Sequence, residues 1–143
     1  MELKMPICVS TYPERLQKLK IYSLERRRER YQIIYIYKII INIVPNPGFH
    51  IEYNPRTKYY VQPKSNLKAP TWARSIRANC FFNTGPSLYN KLPFQLREIE
   101  AINKPNKNHV EAFKRKLDEV LQTVPDIPGT QENSLLKKNL GNF

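Results

Sequence analysis

Four arginines crowd into eight residues of the stretch SLERRRER, residues 23 to 30: Arg26, Arg27, Arg28 and Arg30. Guanidinium groups at this density suit one chemistry above all, forked hydrogen bonding to phosphate or carboxylate oxygens. A second cationic run, from Asn54 to Cys80, holds Arg56, Lys58, Lys64, Lys68, Arg74 and Arg77 without one acidic residue. Aromatic residues interleave with or flank it: Tyr53, Tyr59, Tyr60, Trp72, Phe81 and Phe82. Cations held near a polynucleotide gain by counterion release, and exposed aromatic rings stack on unpaired bases. The expected phosphate contacts are therefore Arg26, Arg27, Arg28 and Arg30 from one helix end, continued by Lys58, Lys64, Lys68, Arg74 and Arg77. The competing reading of the first block is a solvated helix face with intrahelical ion pairs. For Trp72, Phe81 and Phe82 the competing reading is a small core.

The bulk composition points the same way. Lys and Arg number 24 against 12 for Asp and Glu, a net charge of +12, which favours polyanionic partners: RNA or DNA first, an anionic membrane surface second. Catalytic chemistry is poorly supplied. Two-metal nucleotidyl transfer needs clustered carboxylates, yet the chain has only two aspartates, Asp118 and Asp126, and no phosphate-cradling glycine-rich loop. Neither His50 nor His109 has a nucleophile partner in sequence. Cys8 and Cys80 lack any zinc-ligand spacing and read as reduced thiols. No catalytic residue, metal ligand or cofactor is expected.

The elements that must position these residues follow from periodicity. Residues 1–10 read as a flexible leader, 11–124 as a single domain and 125–143 as a disordered tail. Thr11 with Glu14 has the form of a capping box opening a short helix, and Ser23 is the N-cap candidate of a longer helix from about Leu24 to Ile43. From Ile33 to Val44 the chain is apolar but holds only 12 residues, with Lys38 and Asn42 inside, whereas about 20 are needed to span a bilayer. This segment reads as a helix buried on most sides. VPNPGF ends it, and FHIEY and KYYVQ read as a hairpin, with SIRANCFF a third strand candidate. GPSLYNKLP reads as a turn into one helical turn. Asn108 with Glu111 opens an amphipathic helix whose stripe is Val110, Phe113, Leu117, Val120 and Leu121. The resulting fold is α+β and mainly helical: two N-terminal helices, a small antiparallel sheet of two or three strands, and a C-terminal amphipathic helix.

Three ordered segments carry a resemblance. ERLQKLKIYSLERRRERYQIIYIYKIIINIVPNPG, FFNTGPSLYNKLPFQLREI and FKRKLDEVLQTVPDIP together resemble the region just after the polymerase core in reverse transcriptases of non-LTR, LINE-type, jockey-like retrotransposons, over about Tyr12 to Pro128. Two departures are a missing glycine near Asn42 and Asn83-Thr84 before Gly85, where an arginine or valine pair is usual. The palm carboxylates and the endonuclease are also missing. The resemblance therefore implies a separated, thumb-adjacent piece of an RNA-directed DNA polymerase, non-catalytic, that holds template RNA or a primer duplex in nucleus or cytoplasm. Met1 fits a free-standing reading frame from a decayed mobile element. The alternative is an interaction or self-association remnant. In that reading Ile36, Tyr37 and Ile40 form an exposed apolar patch that docks a polymerase core or another protein. Composition leaves RNA against DNA, and the oligomeric state, open.

Overall fold

A computed structural model of the chain describes residues 10–48, 51–53, 61–63, 80–97, 106–138 and 140. Five α-helices organise them: α1 (Tyr12–Leu19), α2 (Leu24–Ile40), α3 (Phe81–Asn90), α4 (Phe94–Arg97) and α5 (Lys107–Thr123). A 3-10 turn follows at Leu135–Lys137.

Local chemistry sets the helix ends. Glu14 accepts from the Thr11 amide at 3.0 Å, which is the reciprocal half of the anticipated capping box. Ser23 caps α2 by accepting from the Arg26 amide. The far end of α2 closes earlier than the apolar run suggests. Asn42 takes φ +60, its amide donates to Ile39 O at 3.1 Å, and the Ile43 amide donates to Lys38 O at 2.9 Å. That pair of bonds is a Schellman motif, in which Asn is one of the few residues to tolerate the left-handed position. At α5 the cap is Asn106, two residues before the expected Asn108; its side chain accepts from the Asn108 amide.

The core is a helical sandwich around α2. Ile33, Ile34, Ile36, Tyr37, Ile39, Ile40 and Ile41 are all buried. α5 packs antiparallel to α2: the Tyr37 and Phe113 rings stack at 4.0 Å between centroids, while Arg30 meets Asp118 further along. The Val110, Phe113, Leu117, Leu121 stripe is buried as its spacing demands, with Val120 partly so. α3 covers another side of α2. Phe81 meets Tyr35 edge-on at 5.3 Å, and Thr84 donates to Gln32 at 2.8 Å. Gly85 lies at the contact: a Cβ there would sit 2.7 Å from the Phe81 ring and 3.3 Å from Ile36 Cδ1. Gly85 and Pro86 both lie inside α3, so the turn expected at this dipeptide is corrected.

The α+β class is corrected as well. Among the described residues the fold is built from helices, and the antiparallel sheet of two or three strands does not form a layer of it. The extended pairing that the described residues retain is a ribbon three residues a side, β1 (Ile51–Tyr53) against β2 (Val61–Pro63), in the register Ile51↔Pro63, Glu52↔Gln62 and Tyr53↔Val61. A two-stranded ribbon of this length is marginally stable by itself. The third strand over SIRANCFF is overturned at its end, because Phe81 opens α3. Residues 71–79 lie outside the described residues. No described helix is long and apolar enough to cross a membrane.

Candidate nucleic-acid interface

The charged block at the start of α2 is divided by helical periodicity. Ser23, Arg26 and Arg30 fall at spacings of 3 and 4, one and two turns ahead of the buried Ile33 and Tyr37, so they share the inward face. Arg26 is 1 % exposed. Its Nη2 donates to Pro125 O at 3.0 Å, to Asn133 O at 3.0 Å and to Asn133 Oδ1 at 3.3 Å. Arg30 forks onto Asp118, Nε to Oδ1 at 2.6 Å and Nη2 to Oδ2 at 2.8 Å. The hydrogen bond to Asp118 raises the Arg30 pKa further above its ordinary value. These two of the expected phosphate contacts are thus corrected: α2 spends them inside the molecule.

Their partners lie largely in a segment expected to be disordered. Beyond residue 124, Asn133, Leu135 and Leu140 are buried. Glu29 accepts from Ser134 Oγ at 2.6 Å and from the Leu135 amide at 3.1 Å, and Glu25 accepts from Asn133 Nδ2 at 3.0 Å. Asp126 accepts from the Ser23 amide and hydroxyl, each at 2.7 Å, and from Asn133 Nδ2 at 3.0 Å. The C-terminal segment is a clamp over the first turns of α2, not a free tail. The block carries two glutamates because they receive this clamp.

Burial alone pushes the Asp126 carboxyl up. The hydrogen bonds from Ser23 and Asn133, with the Arg26 charge, outweigh it, and the net pKa is lowered. A carboxyl depressed in the folded state contributes stability above its unfolded pKa and loses it as pH falls through the folded value. Unfolding free energy should therefore drop on acidification below about pH 4, with Asp126 contributing to the slope. Asp126→Asn should cost about 1 kcal/mol at neutral pH and flatten that slope, as read by urea denaturation at stepped pH. An unchanged slope would remove Asp126 from the clamp's energetics.

The opposite face of α2 is the one that reaches solvent. Arg27 and Arg28 are exposed, and Tyr31 (65 % exposed) and Tyr35 (41 %) continue the stripe. Half-buried Lys38 closes it, one turn beyond Tyr35. Arg28, Tyr31, Tyr35 and Lys38 recur at 3 and 4, so they form a single seam roughly 15 Å long, about four nucleotide steps at 3.4 Å. The edge-on contact with Phe81 positions Tyr35. Near the far end, Lys38, Lys114 and Arg115 all act on Glu111. Its hydrogen bond to Lys114 (2.6 Å) is the main reason that its pKa is lowered.

Among the anticipated site residues, the structure brings Arg27 and Arg28 together on the outer face and takes Arg26 and Arg30 to the inner one. Lys58, Lys64, Lys68, Arg74 and Arg77 lie outside the described residues. Sequence reasoning passed over Tyr31, Tyr35 and Lys38 as site residues by treating the apolar helix as buried on most sides. The signal was present: these three and Arg28 share one helical stripe, and it contains no isoleucine. The patch proposed for a protein partner fails on burial, since Ile36 is 4 %, Tyr37 7 % and Ile40 3 % exposed. Comparison with protein-family models, curated proteins and solved structures finds no match to this chain.

Proposed function

We propose that the chain is a non-catalytic nucleic-acid-binding module, derived from the post-polymerase region of a retrotransposon-type reverse transcriptase. The observation that carries the binding reading is the outer seam of α2: Arg27, Arg28 and Lys38 bracketing the solvent-facing rings of Tyr31 and Tyr35. Cations fix the phosphate track and the rings offer stacking platforms to unpaired bases, a combination suited to single-stranded RNA or DNA. The net charge of +12 extends the attraction beyond contact range. In this reading the second cationic run, Lys58, Lys64, Lys68, Arg74 and Arg77, lengthens the same track. The lineage rests on the three ordered sequence motifs; the binding mode rests on the seam, and each can fail alone.

A salt titration of binding to a single-stranded oligonucleotide tests the module. Neutralising three phosphates through Arg27, Arg28 and Lys38 gives a log–log slope of about −2 to −3, and engaging five in total steepens it to about −3.5 to −4.5. A slope near zero, or no binding at about 50 mM salt, refutes the proposal.

A further inference from the structure

Away from the α2 seam, the turn after α3, the end of α4 and the C-terminal segment line an open pocket of about 370 Å³. Four of the side chains around it are cationic, Lys91, Arg97, Lys137 and Lys138, and no carboxylate among the described residues lines it. Leu92 and Leu140, both buried, form its apolar floor. Asn90 also lines it, and the buried Asn90 Oδ1 has no hydrogen-bond partner among the described residues.

We propose that this cavity is a binding site for a phosphate monoester, with Lys91 and Lys137 as its principal cationic contacts. Three considerations favour that ligand. Like charges gathered around one concavity repel each other, and a dianion relieves the repulsion at every pair at once. Lys138 is tied elsewhere: its ammonium donates to Pro125 O, and burial, then the nearby Arg26 charge, depresses its pKa. A low-dielectric floor strengthens each charge–phosphate contact relative to open surface, and a volume near 370 Å³ falls within the range of about 300–1,000 Å³ typical of ligand pockets. The partnerless oxygen of Asn90 supplies an acceptor for a hydroxyl of the esterified group, such as a ribose. Arg97 already holds a partner within the chain, so it contributes field more than a new hydrogen bond.

Two sources share this chemistry: the terminal phosphate of a polynucleotide, and a free nucleotide or inorganic phosphate. Inorganic phosphate and adenosine monophosphate should each be titrated into the full chain at low salt, with amide chemical shifts as readout. The expected result is saturable movement of Lys91, Leu92 and Lys137, with a dissociation constant of about 0.1–1 mM. The paired substitution Lys91→Gln/Lys137→Gln should weaken it about tenfold or more. Lys91 is half-buried and Lys137 exposed, so the pair leaves the helical core intact, which the unfolding midpoint checks. Arg28→Gln should leave the titration unchanged, so failure of the seam and failure of the cavity read out separately. Absence of saturable shifts, or shifts that survive the paired substitution, overturns the proposal. A second arm compares one oligonucleotide with and without a 5′-phosphate. Tighter binding of the phosphorylated strand, abolished in the paired variant, assigns the site to a polynucleotide end. Equal binding, beside a positive small-ligand titration, assigns it to a free phosphate compound.

Discussion

Replacing Arg26 with alanine should lower the unfolding free energy by about 2–4 kcal/mol, whereas the same change at Arg27, its immediate neighbour, should stay within about 0.5 kcal/mol. The contrast follows from what each leaves behind. Truncation at Arg26 removes a side chain that is 1 % exposed and strips Asn133 O of its donor, while Pro125 O keeps Lys138 and Asn133 Oδ1 keeps the Ile127 amide. Truncation at Arg27 leaves only solvent-facing surface. The loss should appear first as local opening, with amides near Leu135 gaining hydrogen exchange before those of Leu117 in α5. Equal denaturation midpoints for Arg26→Ala and Arg27→Ala would show that the clamp over α2 contributes nothing to stability.

The second large effect lies in binding. Tyr31→Ala should weaken affinity for a single-stranded oligonucleotide by about 5- to 100-fold, corresponding to about 1–3 kcal/mol for one lost stacking platform. Because the ring carries no charge, the salt slope should be unchanged. Arg28→Gln should act the other way, lowering affinity and making the slope shallower by roughly one unit. Stability is not expected to confuse either result, since Tyr31 is 65 % exposed and Arg28 is exposed. Retained affinity in Tyr31→Ala would leave the seam as an electrostatic track alone. A double-stranded probe supplies a control, because paired bases cannot splay onto Tyr31 and its loss should matter little there.

The clamp also changes what the cationic block means. An arginine cluster at a helix start opposes the macrodipole, so local energetics alone do not favour it. Arg26 and Arg30 are held there by carbonyl and carboxylate partners brought from about one hundred residues away in sequence. Arg27 and Arg28 have no such structural role in the described residues, which is why they carry the functional proposal.

Period and capping chemistry were legible from the residues themselves. Ser23 as N-cap, the Thr11–Glu14 signature and the Val110–Leu121 stripe are local patterns whose partners lie within a turn or two, so no tertiary knowledge is needed to read them. The inward placement of Arg26 and Arg30 was half legible: seven residues separate each from Ile33 and Tyr37, which puts all four on one face. What could not be read was that Asn133, Asp126 and Asp118 would be there to receive them, because hydrogen-bond partners distant in the chain leave no periodic trace. The helix through Gly85 and Pro86 was hidden for the same reason. Both residues locally signal a turn, yet they lie within α3, where at Gly85 a Cβ would meet the Phe81 ring of the same helix and press on Ile36 of α2. Composition and spacing settled that this chain is cationic and built on an apolar helix. Only packing decided which cations face water, since burial depends on what the rest of the chain lays over each face.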